Sequence, residues 1–120
     1  MASGRMRRVN RAVQEVVSAH IAEDVKDPRI GFVTVTGVET SVDLRSARVY
    51  VSVLGGQAER DEALRGLRSA SGYLQSRIGD ELRMKRTPTL NFVLDQSIDT
   101  GMRMEKLISE VAPSPSEEEG

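Results

Sequence analysis

The sequence predicts an α+β domain of two layers, with helices packed on one face of a small sheet. Three observations carry this. Apolar residues recur with helical period near the start and again in the middle of the chain. Two segments between those stretches, and a third after them, alternate apolar and polar residues as strands do. The polar sets of those strands (Arg48, Tyr50, Ser52 and Asn91, Asp95) read as wet, so one sheet face is left for helices to cover.

Val9, Ala12, Val13, Val16, Val17, His20 and Ile21 fall at i, i+3, i+4, i+7, i+8, i+11 and i+12, one stripe of an amphipathic helix over about 5–23. Pro28 in "DPRIG" stops it. Val33 and Val35 then alternate with Phe32, Thr34 and Thr36, predicting a strand over about 30–40. Ala47, Val49, Val51 and Val53 alternate with Arg48, Tyr50 and Ser52, predicting a second over about 46–54. The connection "SVDLRS" is short and polar enough for an antiparallel hairpin.

After Gly55-Gly56, the residues Ala63, Leu64, Leu67, Leu74, Ile78 and Leu82 hold one helical phase over 57–84. An unbroken helix there would be roughly 42 Å long, more than the roughly 34 Å diameter of a compact domain of this size. The stretch "LRSASGYL" is where it breaks, with Gly72 as the expected kink and Ser69 and Ser71 as capping oxygens. Thr87-Pro88 ends the second helix, and Leu90, Phe92 and Leu94 alternate as a third strand. Met104, Leu107, Ile108 and Val111 suggest a final helix begun by Asp99 or Thr100. The order is α-β-β-α-α-β with a C-terminal helix. A single domain over 1–111 is expected, with 112–120, rich in Pro, Ser and Glu, as a disordered acidic tail.

Composition narrows the class. There is no cysteine, so no disulfide framework or thiolate metal site, and no run approaches the ~18 apolar residues of a membrane span. The opening "MASGRMRRVN" lacks the apolar core of a signal peptide, so a cytoplasmic protein is expected. The net charge of −1 hides an asymmetry, because residues 1–111 carry 17 basic against 15 acidic groups. Fourteen arginines stand against three lysines, and arginine's planar fork suits phosphate.

Catalytic chemistry is hard to find. His20, the lone histidine, sits on the apolar side of the first helix, where a packed structural role is expected. The acidic residues lack metal-site spacing, no phosphate-loop or dinucleotide fingerprint occurs, and "VLGG" reads as a loop. No catalytic residue, metal or cofactor is assigned. The kink is different. A helix N-terminus at "RSASG" offers free backbone N–H groups to phosphate, and Arg65, Arg68 and Arg77 lie within a turn or two. A plain helix kink remains the other reading.

The chain resembles bacterial ribosome-binding factor A from about Arg7 to Val111. The segments that carry the resemblance are Arg8-Val9, "DPRIG" at 27–31, "VTVTGVETSVDLRSARVYVSVLG" at 33–55 and "SASGYLQSRIG" at 69–79. "LRMKRTPTLNFVLDQS" at 82–97 and "GMRMEKLI" at 101–108 complete it. The resemblance implies a KH-like (type II) fold in which an Ala-x-Gly kink replaces the GxxG loop of other KH domains. It implies a non-enzymatic assembly factor, linked to cold adaptation. Such a factor binds the free or immature 30S subunit and its 16S rRNA and assists late maturation and 5′-end processing.

Carried over by position, Ala70, Ser71 and Gly72 form the kink, Arg83, Lys85 and Arg86 match the basic stretch before the last strand, and Arg7 and Arg8 match the basic start of the first helix. With Arg11, Arg65, Arg68 and Arg77 these make up the expected RNA-binding set. The partners expected are the 30S subunit and 16S rRNA, with ribosomal proteins left open, no membrane, and a monomeric chain. The alternative is a two-layer α/β adaptor that docks a protein through its open sheet face, where Tyr50 and Val93 lie. Steep salt dependence would mark the first reading and salt-insensitive, RNA-independent association the second. A metabolite-binding or enzymatic domain is the third and weakest reading.

Overall fold

The computed structural model describes residues 4–95. In chain order they form α1 (Gly4–Glu23), β1 (Val33–Thr40), β2 (Ser46–Val53), α2 (Gln57–Ser69), α3 (Ser71–Leu82) and β3 (Thr89–Leu94). The α-β-β-α-α-β order is the one the periodicities predict. The expected C-terminal helix and the tail 112–120 lie outside the described residues.

The sheet order is β1-β2-β3, with β1 antiparallel and β3 parallel to the central β2. A bulge between Val35 and Gly37 shifts the β1 register. Because side chains alternate with a period of two, one extra residue reverses the phase. Val33 and Val35 point inward before the bulge, and Val38 and Thr40 do so after it. Without it, Glu39 would face the core. Instead Glu39 lies outside opposite Arg48, 3.5 Å from its guanidinium.

The three helices cover the other face. Val13, Val16 and Val17 from α1, Ala63 and Leu67 from α2, and Leu74 and Ile78 from α3 meet Val35, Val49, Val51, Leu90 and Phe92 from the sheet. The core is aliphatic, as the composition requires, with Phe92 its one buried ring among the described residues. Leu67, Leu74 and Ile78 are fully buried, so truncating any of them to Ala should cost about 2–5 kcal/mol.

The first strand begins at Val33 rather than near 30 because "DPRIG" is a turn. The Asp27 carboxylate accepts the Arg29 backbone N–H (2.9 Å) and is gripped by the Arg29 guanidinium (2.7 Å). The Arg29 side chain, with help from its backbone N–H, holds the Asp27 carboxyl down at about 2. Gly31 then takes a left-handed φ of +58° that an L side chain resists. This turn buries Ile30 against α2 at Gly66, where a Cβ would stand 2.7 Å from Ile30 Cγ1.

Gly66 and Gly72 should therefore respond in opposite directions. Gly66→Ala forces Ile30 off α2 and should destabilise the fold by about 1–3 kcal/mol. A Cβ at Gly72 meets nothing within 4 Å, so Gly72→Ala should stabilise by about 0.5–1 kcal/mol through helix propensity. Urea midpoints that move the same way for both variants would refute this packing.

Candidate nucleic-acid interface

The break between α2 and α3 falls at Ala70, not at Gly72. Ala70 has φ −90° and ψ 0°. Its N–H donates to the Gly66 and Leu67 carbonyls (both 3.1 Å), and its own carbonyl accepts the Leu74 N–H (3.0 Å). One residue thus closes α2 and opens α3. That conformation is open to any L residue, so no glycine is needed, and Gly72 lies within the first turn of α3. The serines do not cap. Ser69 Oγ accepts from the Arg29 guanidinium (3.1 Å), and Ser71 Oγ donates to the Leu67 carbonyl at 3.4 Å. The N-terminus of α3 has no side-chain cap bond.

The basic residues near this break differ in how free they are. Arg65 is paired with Glu62 at 2.9 Å. Arg77 is half-buried and reaches Asp80 (3.5 Å) and Glu81 (3.7 Å), so it braces α3. Arg68 is exposed, with no ion pair to any described residue.

A second basic group gathers at the other end of α3. Asn10 Oδ1 accepts the Thr40 N–H (2.8 Å), and the Thr89 N–H donates to the Arg45 carbonyl (2.9 Å). These bonds hold the start of α1, the β1–β2 hairpin and the α3–β3 loop at one end of the domain. Arg5, Arg8, Arg83, Lys85 and Arg86 are exposed there and make no ion pair with a described residue. Arg7 is exposed on the same helix start, and Arg11 pairs loosely with Glu15 at 3.6 Å, a contact of little energetic weight at the surface. The 12 residues of α3 put roughly 18 Å between this group and Ala70. The cluster of Arg83, Lys85 and Arg86 therefore does not flank the kink. Arg45, which pairs with Asp43 at 3.8 Å, comes to this end only through tertiary contacts, and spacing along the chain does not single it out.

Arg83 itself carries the left-handed conformation (φ 52°) that caps α3, a place where glycine is favoured. The fold keeps a long cationic side chain at a position that costs about 1–2 kcal/mol of backbone strain.

His20 links α1 to α3. One ring nitrogen meets Asp24, and the other lies 2.6 Å from Glu81. Tyr73 packs edge-on at 6.1 Å and donates its hydroxyl to Asp24 (2.6 Å). Among the described residues no acidic or histidine cluster could hold a metal, and no helix is long and apolar enough to cross a membrane. On the open sheet face the Arg48 guanidinium donates to the Tyr50 hydroxyl (3.2 Å), which donates to Glu39 (3.1 Å). Val93 stands exposed beside them.

The profile of the ribosome-binding factor A family matches residues 5–108. The chain belongs to this family. It is 45% identical over 107 residues to ribosome-binding factor A of Geobacter sulfurreducens, covering 89% of this chain and 91% of that one. The crystal structure of ribosome-binding factor A from Thermus thermophilus superposes with a TM-score of 0.67 at 27% identity, covering 74% of this chain and 94% of that one. A homology model of the Thermus thermophilus factor, fitted into a cryo-electron microscopy map of its 30S complex, matches with a TM-score of 0.58 at 28% identity. It covers 80% of this chain and 97% of that one. The fold is thus the KH-like one, with Ala70 at the interhelical break.

The α1–α3 clasp has a pH signature. Hydrogen bonds to Asp24 and then to Glu81 push His20 above its usual 6.5. A histidine raised in the folded state contributes its full stability below pH 6.5 and loses it as pH rises through the folded value. Stability should therefore decline from about pH 6.5 upward in the parent chain, with that slope flattened in His20→Asn. A parallel pH–melting profile for the two proteins would show the clasp to be energetically silent.

Proposed function

We propose that this chain binds the free or immature small ribosomal subunit through 16S rRNA and assists its late maturation, including 5′-end processing, without catalysing a reaction itself. The observation that carries this reading is the family match over residues 5–108, joined to a relative seen in a 30S complex. The chemistry of the surface supports it. Arg68 stands near a helix N-terminus whose amides suit phosphate, and the exposed cations Arg5, Arg8, Arg83, Lys85 and Arg86 form a second contact zone. Two zones separated by the length of α3 suit a backbone that runs along the helix. With overall charge near neutral, binding rests on these local patches. Arg7, Arg11, Arg65, Ala70, Ser71 and Gly72 complete the proposed surface, while Arg77, tied to Asp80 and Glu81, braces α3 beside it.

Co-sedimentation with purified 30S, 50S and 70S particles across a salt series tests the reading. Binding should favour free 30S subunits and weaken with salt. Replacing Arg83, Lys85 and Arg86 together by Ala should lower the log K versus log[salt] slope by roughly 2, at ~0.7 per phosphate contact. Arg83→Gly separates fold from function, because it should leave stability unchanged or raise it by up to about 1 kcal/mol while weakening 30S binding. Ser71→Glu should fold normally yet bind poorly, since its carboxylate competes with phosphate for the α3 amides. Equal binding to 50S and 30S particles, or full affinity in the Arg83, Lys85 and Arg86 variant, would overturn the proposal. Salt-insensitive binding to a protein without RNA would favour the sheet-face adaptor.

A further inference from the structure

Phe32 and Leu54 are the feature that neither the core nor the basic surface accounts for. Phe32 is 79% and Leu54 74% exposed. They are neighbours, since the Leu54 N–H donates to the Phe32 carbonyl (3.1 Å). Together with Ile30, Val53 and Ala58 they line a groove of about 480 Å³ at the end of the sheet where α2 begins. Two large apolar side chains set side by side against apolar walls form a surface that water solvates poorly.

The chain itself carries a candidate to cover it. β3 runs parallel to β2, with Leu94 opposite Val51, and the Asp95 N–H donates to the Val51 carbonyl (2.8 Å). The chain therefore leaves the sheet at the same end as the groove, with Leu94 three residues short of the level of Leu54 and one strand across. That is a gap of roughly 11 Å, which four extended residues span. Beyond them come Met104, Leu107, Ile108 and Val111, spaced i, i+3, i+4 and i+7 as one apolar stripe of a helix. Arg103 and Lys106 lie beside that stripe, three residues apart. On the groove's rim Glu59 and Glu62 are also three apart. The family match runs through Ile108 and so includes Met104, Leu107 and Ile108 of this stripe.

We propose that residues 102–111 dock in the groove over Phe32 and Leu54, with Arg103 and Lys106 facing Glu59 and Glu62. Tethering favours this occupant over a second copy, because a short linker holds the segment at an effective concentration in the millimolar range.

The chain has no tryptophan, so Phe32→Trp places a single indole in the groove of the full-length protein. Acrylamide quenching of that indole reads its exposure. If the docked form outweighs the open one by about ten to one, adding Leu107→Asp and Ile108→Asp should raise the quenching constant by up to about tenfold. The circular dichroism and melting of residues 4–95 should persist in this variant. Should the double Asp variant unfold, Leu107→Ala serves in its place, with a smaller rise expected. A disulfide formed within one chain between Leu54→Cys and Leu107→Cys, in a protein otherwise free of cysteine, would support the same placement. An indole equally quenched with and without the Asp substitutions would overturn the proposal, and so would protection that vanishes on dilution, which would identify a second copy as the occupant.

Discussion

β2 and β3 lie side by side and parallel, so the chain between Val53 and Thr89 must return along the whole length of the sheet before it can pair again. This constraint shapes the rest of the domain. β2 has eight residues and is roughly 26 Å long, whereas an unbroken helix over 57–82 would measure roughly 39 Å. The crossover fits only because it is divided at Ala70 into pieces of 13 and 12 residues. Leu67 just before the break and Leu74 just after it are both fully buried. The kink is therefore held from inside by the core, and its backbone can face outward.

The same division separates the arginines by task. Arg29 is spent on the turn that docks at Gly66 and on Ser69, Arg77 ties α3 to its own acidic residues, and Arg48 is satisfied on the sheet face by Glu39 and Tyr50. Each serves the fold. Arg5, Arg8, Lys26, Arg68, Arg83, Lys85 and Arg86, exposed and without an ion pair to a described residue, sit at helix ends or in the loops that follow them. Helix N-termini, at the start of α1 and after Ala70, also present backbone N–H groups to a polyanion. At the C-terminus of α3, by contrast, the side chains of Arg83, Lys85 and Arg86 must supply the positive charge. A chain of nearly neutral net charge can in this way present local positive surface.

Apolar surface is divided in a similar way. Phe92 is buried and Phe32 is not, although both sit in strand-like alternation with β-branched residues. The difference lies in the surroundings of each ring. Phe92 is in the middle of a paired strand beneath α2 and α3, while Phe32 precedes the first ladder pair and lines an open groove beside the start of α2. Alternation marks one face of a strand as apolar, and neighbours decide whether that face is covered.

The sequence by itself determined the element order, the aliphatic core and the need for a break in the long helix, because these depend on periodicity, residue volume and chain length. It determined the family as well, through ordered segments at matching spacing. The tertiary structure alone decided the parallel placement of β3, the bulge at Thr36 that turns Glu39 outward, and the position of the break at Ala70 rather than Gly72. It also decided which arginines are free and that the Arg83–Arg86 cluster stands a helix length from the kink. Register, ion pairing and burial depend on residues distant in the chain, such as Glu39 with Arg48 or Ile30 with Gly66. Local sequence carries no record of those distances.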